Sequence, residues 1–500
     1  MRKIPATMAT QHPDNAGRPF WQKDSFVTTR EEIEEAYVCF KDLGITEYNW
    51  DWEGKYVDES VVDKLLHKYY NYFKRHSLGE DNFLTFRIPN PRVEKQFRLA
   101  RAFMVIVTSS QLAESLGFKK PPIFETILPL TETAEEVFDI QEAFKQLVSI
   151  DHRLLKMQES IQNIEIIPLF EQVEKMMHSD DLLRKYVRML KEQYGFLPSY
   201  IRPYCARSDP ALNSGLVPTV LAVKVALSKY RKLEQELGVR LYPMVGTGSL
   251  SFRGGLAPDN IDYILDEYAG VRTFTVQSAF RYDYPKSQVK KAVERLTKEL
   301  PKAKAKVMPD NIYKKIEEII PFFEISYRKS IENLAPIINA MSADFPRRRE
   351  RLQHIGIWGY SRGVGKVKLP RAIPFTGALY SLGIPPEIIS TGRGIKKAKK
   401  EGIWQDIAPL YPHLIDDLEK AGCFLNKENV NLLAKEIPGC YDLNEDIKSI
   451  EEEFHIELGP KSASHKDHYK TAQKVYKNLK NKKNISQLIT YAGILRKSLG

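Results

Sequence analysis

Two acids, a histidine and a set of arginines are the residues of this sequence whose types and spacing could do chemistry together. Glu171 closes a β-prone run, Ile164–Glu171, and Asp209 follows the next run 38 residues later, in Ala206-Arg-Ser-Asp-Pro. Carboxylates from adjacent strand ends can converge on one hard cation such as Mg²⁺, which prefers oxygen ligands and keeps several waters. The alternative is that either acid caps the helix that follows, and Asp209 before Pro210 suits that role. Arg207, Arg253, Arg281 and Arg362 stand near strand ends or in glycine-rich loops, and Arg371 lies in Lys368-Leu-Pro-Arg-Ala-Ile-Pro374. A single arginine is more often plain surface. Five beside a pair of acids are equipment for a small, multiply anionic substrate. His12 lies in Met8–Asn15, a polar, proline-broken segment expected to be neither helix nor strand. It reads either as an exposed loop histidine or as an acid–base group titrating near neutrality and folded over the site.

The stretch Tyr242–Gly255, Tyr-Pro-Met-Val-Gly-Thr-Gly-Ser-Leu-Ser-Phe-Arg-Gly-Gly, adds a loop to this set. Its glycines, Gly254 and Gly255 included, let backbone approach a ligand, and Arg253 supplies a planar fork suited to phosphate or carboxylate. It is neither a Walker loop, lacking the closing Gly-Lys-Ser/Thr, nor a dinucleotide fingerprint, since Ser251 replaces the third glycine. A solvated turn with a surface arginine is the other reading.

These residues need elements to hold them. Seven short apolar or β-prone runs alternate with helical stretches: Tyr48–Glu53, Leu84–Ile88, Ile123–Pro129, Ile164–Glu171, Tyr200–Cys205, Arg240–Val245 and Arg272–Gln277. The polar ends Glu132, Glu171, Asp209, Gly246 and Gln277 are 39, 38, 37 and 31 residues apart, the size of one βα unit. With His354–Tyr360 as the candidate eighth run, the pattern predicts a (β/α)₈ barrel, whose chemistry sits at the C-terminal strand ends. Glu31–Asp42 reads as an amphipathic helix. The segments around 287–345 and 395–500 read as helices wrapped on a single barrel domain spanning 1–500.

Hydrophobic residues at 43% and charged residues at 28% suit a globular chain with ample core. The net charge of +11 fits nucleic acid, a membrane surface or a small anion. No RNP, zinc-finger or helix-turn-helix signature supports nucleic acid, and no 18-residue apolar run supports a membrane span. Four unpaired cysteines and a start without an apolar core lead to the expectation of a reduced cytoplasm.

The motifs resemble those of phosphoenolpyruvate carboxylase, in its short archaeal-type form, from one end of the chain to the other. Thr10-Gln-His-Pro-Asp-Asn15 is similar to the family's Thr-Ala-His-Pro-Thr, which implies an essential His12. Pro168-Leu-Phe-Glu171 and Ala206-Arg-Ser-Asp209 are similar to Pro-Leu-Phe-Glu-Thr and Gly-Tyr-Ser-Asp, which implies metal ligation by Glu171 and Asp209. The Gly246–Gly255 loop puts Arg253 on a catalytic arginine. Leu369–Pro374 resembles Leu-Arg-Ala-Ile-Pro, with Arg371 matching, and Tyr360-Ser-Arg362 resembles Gly-Ser-Arg. The closing Arg496-Lys-Ser-Leu-Gly500 is similar to a C-terminus ending in glycine. Two positions depart from the long form: Leu212 replaces a lysine and Thr247 an arginine. Arg207 is expected to take over that charge, with Arg281, Arg362, Gly254 and Gly255 as further substrate-binding positions.

The resemblance implies carboxylation of phosphoenolpyruvate by bicarbonate to oxaloacetate and phosphate, through carboxyphosphate and a metal-stabilised enolate. It also implies Mg²⁺ or Mn²⁺, a homotetramer and an anaplerotic role in carbon dioxide fixation. Two rivals stand beside it. One is another barrel enzyme acting on phosphoenolpyruvate or pyruvate without bicarbonate. The other is a basic nucleic-acid-binding protein, against which the polar strand ends argue.

Overall fold

In the computed structural model the described residues are all but 1–2, 54–56, 153–154, 157–160, 351–362, 365–366 and 438. Eight parallel strands close into a barrel: β1 (Thr7–Ala9), β2 (Glu47–Asp51), β3 (Phe83–Arg87), β4 (Glu125–Leu128), β5 (Glu165–Phe170), β6 (Tyr204–Cys205), β7 (Met244–Val245) and β8 (Thr273–Val276). Each of the seven expected runs supplies one strand, so the (β/α)₈ expectation holds.

The eighth strand corrects two readings. Thr7–Ala9 closes the barrel, pairing Ala9 with Val276 on one side and Tyr48 on the other. The segment from Met8 is therefore partly strand, and Thr7–Ala9 takes the eighth place in the barrel; the run expected there, 354–360, lies outside the described residues. Three residues carry no periodic signal; here pairing with neighbours on both sides decides the conformation.

Side chains alternate inward and outward along each strand. Outward residues such as Tyr48, Trp50, Phe86, Ile166, Phe170, Phe274 and Val276 join the main core with the surrounding helices. Inward residues stack in three levels. At the N-terminal end Arg202 donates to Glu47 (2.7 and 2.8 Å) and Glu125 (2.6 Å), all fully buried, and to Thr273 at 3.1 Å. Above it lies an apolar plug of Met8, Ile127, Ile167, Leu169, Tyr204 and Met244. At the C-terminal end the inward positions turn polar again, with Asp51, Arg87, Glu171 and Gln277.

The expected outer helices form over Glu31–Leu43, Lys286–Glu299 and the 34-residue Asp310–Ala343, and helices continue from Thr391 to Leu495. Helix Ala134–Val148 starts on Thr133, whose hydroxyl accepts from Glu136 N, satisfying one orphan N–H of the first turn. Helices Glu31–Leu43 and Leu216–Leu237 stop at Gly44 and Gly238, with φ of 73° and 66°, where other residues would be strained.

Candidate active site

The C-terminal strand ends open into a cavity of about 690 Å³, within the range of small-molecule sites. His12, Asp209, Arg253 and Arg371 line it, together with Glu53, Arg87, Gln277 and Arg347–Arg349. Four sequence-predicted residues thus meet in one place.

The segment after β1 is strapped down at many points. His12 Nδ1 lies 2.9 Å from Thr10 Oγ1, which orients the ring. Arg281 Nη2 donates to Thr10 O at 2.6 Å, and Arg348 donates to Asn15 O and Ala16 O at 3.1 and 2.7 Å. Asp14 accepts from Ala279 N (2.7 Å) and Ser278 Oγ (3.0 Å). Burial pushes its carboxyl up, against the pull of Arg253.

Arg253 leaves the glycine loop fully buried at the back of the cavity. It donates to Ser208 Oγ at 3.1 Å, to Gln277 Oε1, to the Gly500 main-chain oxygen and, at 3.4 Å, to Asp14. The loop's glycines make that placement possible. A Cβ on Gly248 would stand 3.0 Å from the Arg253 guanidinium carbon, and Gly254 and Gly255 turn the chain at φ 118° and 72°. Those last two do not line the cavity; they shape the turn.

Glu171 and Asp209 come from neighbouring strand ends. Phe170 pairs with Cys205, and Ala206 N donates to Phe170 O at 3.0 Å. Asp209 lines the cavity from the first turn of helix Ser208–Ser214. Glu171 stands beside Arg87, whose charge it helps hold, and accepts from Leu130 N at 2.8 Å. Leu130 adopts φ 53°, a strained geometry for a leucine that aims its N–H at the carboxylate. Two carboxylates from adjacent strands suit Mg²⁺ or Mn²⁺, which are often held by one or two carboxylates plus substrate oxygens and water. No cluster of three or more His, Cys, Asp or Glu side chains that could hold a metal occurs among the described residues.

Arg207 and Arg281 are not brought to the cavity. Arg207 is buried behind the glycine loop, donating to Tyr268 OH at 3.0 Å and Ser251 O at 3.4 Å. Arg281 is spent on Thr10 O, Gln277 O, Cys39 and Tyr282, with Glu35 at 3.1 Å. Arg371 is exposed on the cavity lip at the start of helix Ala372–Ser381, and Arg362 lies outside the described residues.

Sequence reasoning passed over Arg87, which pairs with Asp51 and Glu53 at 2.8 Å. Burial works against its charge, and the two acids more than restore it. Its signal was available: Arg87 lies next to the end of the expected run Leu84–Ile88, at the same inward parity as Thr85. The run Arg347–Arg349 was also missed, though three successive arginines are visible in the sequence.

A closed (β/α)₈ barrel with acids, a histidine and arginines gathered at its C-terminal mouth defines an enzyme of the barrel class built around a small anionic ligand. Comparison with known proteins narrows this. A family model described as phosphoenolpyruvate carboxylase matches residues 4–500. The phosphoenolpyruvate carboxylases of Metallosphaera sedula and Methanothermobacter thermautotrophicus are 39% and 38% identical to this chain, each alignment covering all of both proteins. That of Leuconostoc mesenteroides is 38% identical over 95% of this chain and 94% of its own. The chain belongs to the phosphoenolpyruvate carboxylase family, in its short archaeal-type form. All four cysteines are free and buried, and no helix among the described residues is long and apolar enough to cross a membrane.

Proposed function

We propose that this chain carboxylates phosphoenolpyruvate with bicarbonate, giving oxaloacetate and phosphate. The observation that carries the reading is the meeting of His12, Asp209, Arg253 and Arg371 in one cavity at the barrel mouth, in a chain matched over residues 4–500 by the family.

Mg²⁺, or Mn²⁺, would be held by Glu171 and Asp209 and would supply positive charge against the substrate's oxygens. The rest is work for the protein's own side chains. Arg253 and Arg371 face the phosphate and carboxylate groups and neutralise charge as it moves. A bicarbonate oxygen attacks phosphorus, the enolate of pyruvate leaves, and carboxyphosphate forms. His12 then takes the carboxyl proton of carboxyphosphate, so that carbon dioxide is released next to the enolate. The new C–C bond forms between the enolate methylene carbon and carbon dioxide, and phosphate departs with one bicarbonate oxygen. The straps on Thr10, Asn15 and Ala16 hold His12 at the mouth, where it also helps exclude the water that would protonate the enolate.

Arg281 acts indirectly, through the Thr10 carbonyl. A homotetramer and an anaplerotic role in the cytoplasm accompany the reading.

Bicarbonate labelled with ¹⁸O tests the chemistry. One labelled oxygen per turnover should appear in the released phosphate; oxaloacetate formed with unlabelled phosphate would refute the carboxyphosphate route.

A further inference from the structure

The loop that carries Arg253 is closed on itself but does not satisfy its own first turn. Arg253 N donates to Leu250 O at 2.8 Å, Gly255 N to Leu250 O at 2.9 Å, and Gly248 N to Arg253 O at 2.8 Å. The Phe252 N–H has no partner within the loop. It donates at 2.8 Å to Glu387 Oε1, in a segment 135 residues away. Tyr380 OH donates to the same oxygen at 2.6 Å. Glu387 is fully buried, and its other oxygen, Oε2, has no hydrogen-bond partner among the described residues. Burial raises its carboxyl to about 7. Retaining such a group in a core is costly unless it holds something in place.

What it holds is the residue before Arg253. The Phe252 ring is buried between Tyr327 and Phe375, with centroids 6.4 and 6.1 Å away. With its ring packed and its N–H taken, Phe252 holds the backbone from which the Arg253 side chain departs. Tyr380 closes a second link: it lies on helix Ala372–Ser381, whose N-terminal end carries Arg371 on the cavity lip.

We infer that Glu387 is a positioning residue for Arg253: its side chain clamps the Phe252 amide and, through Tyr380, ties the glycine loop to the helix that presents Arg371. The inference rests on the reading of Arg253 as a substrate-facing group.

Three variants test it. Glu387→Gln keeps an oxygen for both donors and should retain kcat/KM within threefold of wild type. Glu387→Ala removes the clamp and should lower kcat/KM tenfold or more. Glu387→Asp keeps the carboxyl group but withdraws it by one methylene, and should lose at least fivefold, which keeps the comparison open if the alanine variant does not fold. A merely structural role is separated by the Arg253→Lys background, where Glu387→Asp should cost less than twofold. Hydrogen exchange of the 248–256 backbone needs no substrate, so it reads the clamp even if the proposed activity fails; exchange should quicken in the aspartate variant and not in the glutamine one. Equal loss in the glutamine and aspartate variants, an undiminished loss in the Arg253→Lys background, or unchanged loop exchange in the aspartate variant would overturn the inference.

Discussion

Replacing Glu35 by glutamine should damage both the fold and the site, and the size of the effect can be worked out. Glu35 is fully buried and accepts from Arg349 at 2.7 and 3.0 Å, from Tyr282 OH at 2.7 Å and from Tyr48 OH at 3.0 Å, with Arg281 at 3.1 Å. Burial opposes its charge, but the two guanidinium groups outweigh burial and hold its carboxyl down to about 2 from an ordinary 4.5. A depression of that size corresponds to roughly 3 kcal/mol of stability. The sign follows from the direction. A carboxyl with a lowered folded value stabilises above 4.5, and the contribution is lost as pH falls from 4.5 towards 2. Glu35→Gln also takes the carboxylate away from Arg281 and leaves Arg349 with Glu32 at 3.1 Å, and removing one partner of a buried pair costs about 3–5 kcal/mol in comparable networks. Urea denaturation of both proteins at pH 7.5 and pH 3 is the assay. The variant should be less stable by about 3 kcal/mol or more at pH 7.5, with the gap narrowing at pH 3. A gap below about 1 kcal/mol at pH 7.5, or one unchanged at pH 3, would refute the reasoning. Because Arg281 also holds Thr10 O and Arg349 adjoins Arg348, which holds Asn15 O, kcat should fall with the stability.

Gly248→Ala should lower kcat/KM at least tenfold while leaving the urea midpoint nearly unchanged, because the added methyl presses on the Arg253 guanidinium; steady-state kinetics beside denaturation separates the two. Arg202→Gln leaves Glu47 and Glu125 facing each other at the opposite end of the barrel and should cost roughly 3–5 kcal/mol with KM unmoved, read by denaturation and kinetics of the same preparation. His12→Asn should still bind phosphoenolpyruvate and release phosphate while making no oxaloacetate, and normal oxaloacetate output would remove the proton-transfer role.

The barrel was legible because period and punctuation agree: each βα unit is one apolar run ending in a polar residue. The strand that escaped, Thr7–Ala9, has no pattern of its own and is imposed by β2 and β8 on either side. Asp209 and Arg253 could be singled out because one follows a strand end and the other sits in a glycine loop, and both line the cavity, whereas His12 was marked only by its likeness to the family's motif, since the strand before it escaped. The placement of Arg207 and Arg281 was not legible, because residue type reports charge and not direction: Arg207 turns to Tyr268 OH and Ser251 O, and Arg281 to Thr10 O, Tyr282 and Glu35. Glu387 was invisible for a related reason, since its contact with Phe252 spans 135 residues of sequence and no local spacing encodes it.

The central claim is that the cavity joins bicarbonate to phosphoenolpyruvate. Purified protein with phosphoenolpyruvate and Mg²⁺, coupled to malate dehydrogenase, should consume NADH only when bicarbonate is added, with no nucleotide required, and should stop when the metal is chelated. Phosphate release without bicarbonate-dependent NADH loss, or no turnover of phosphoenolpyruvate at all, would contradict it.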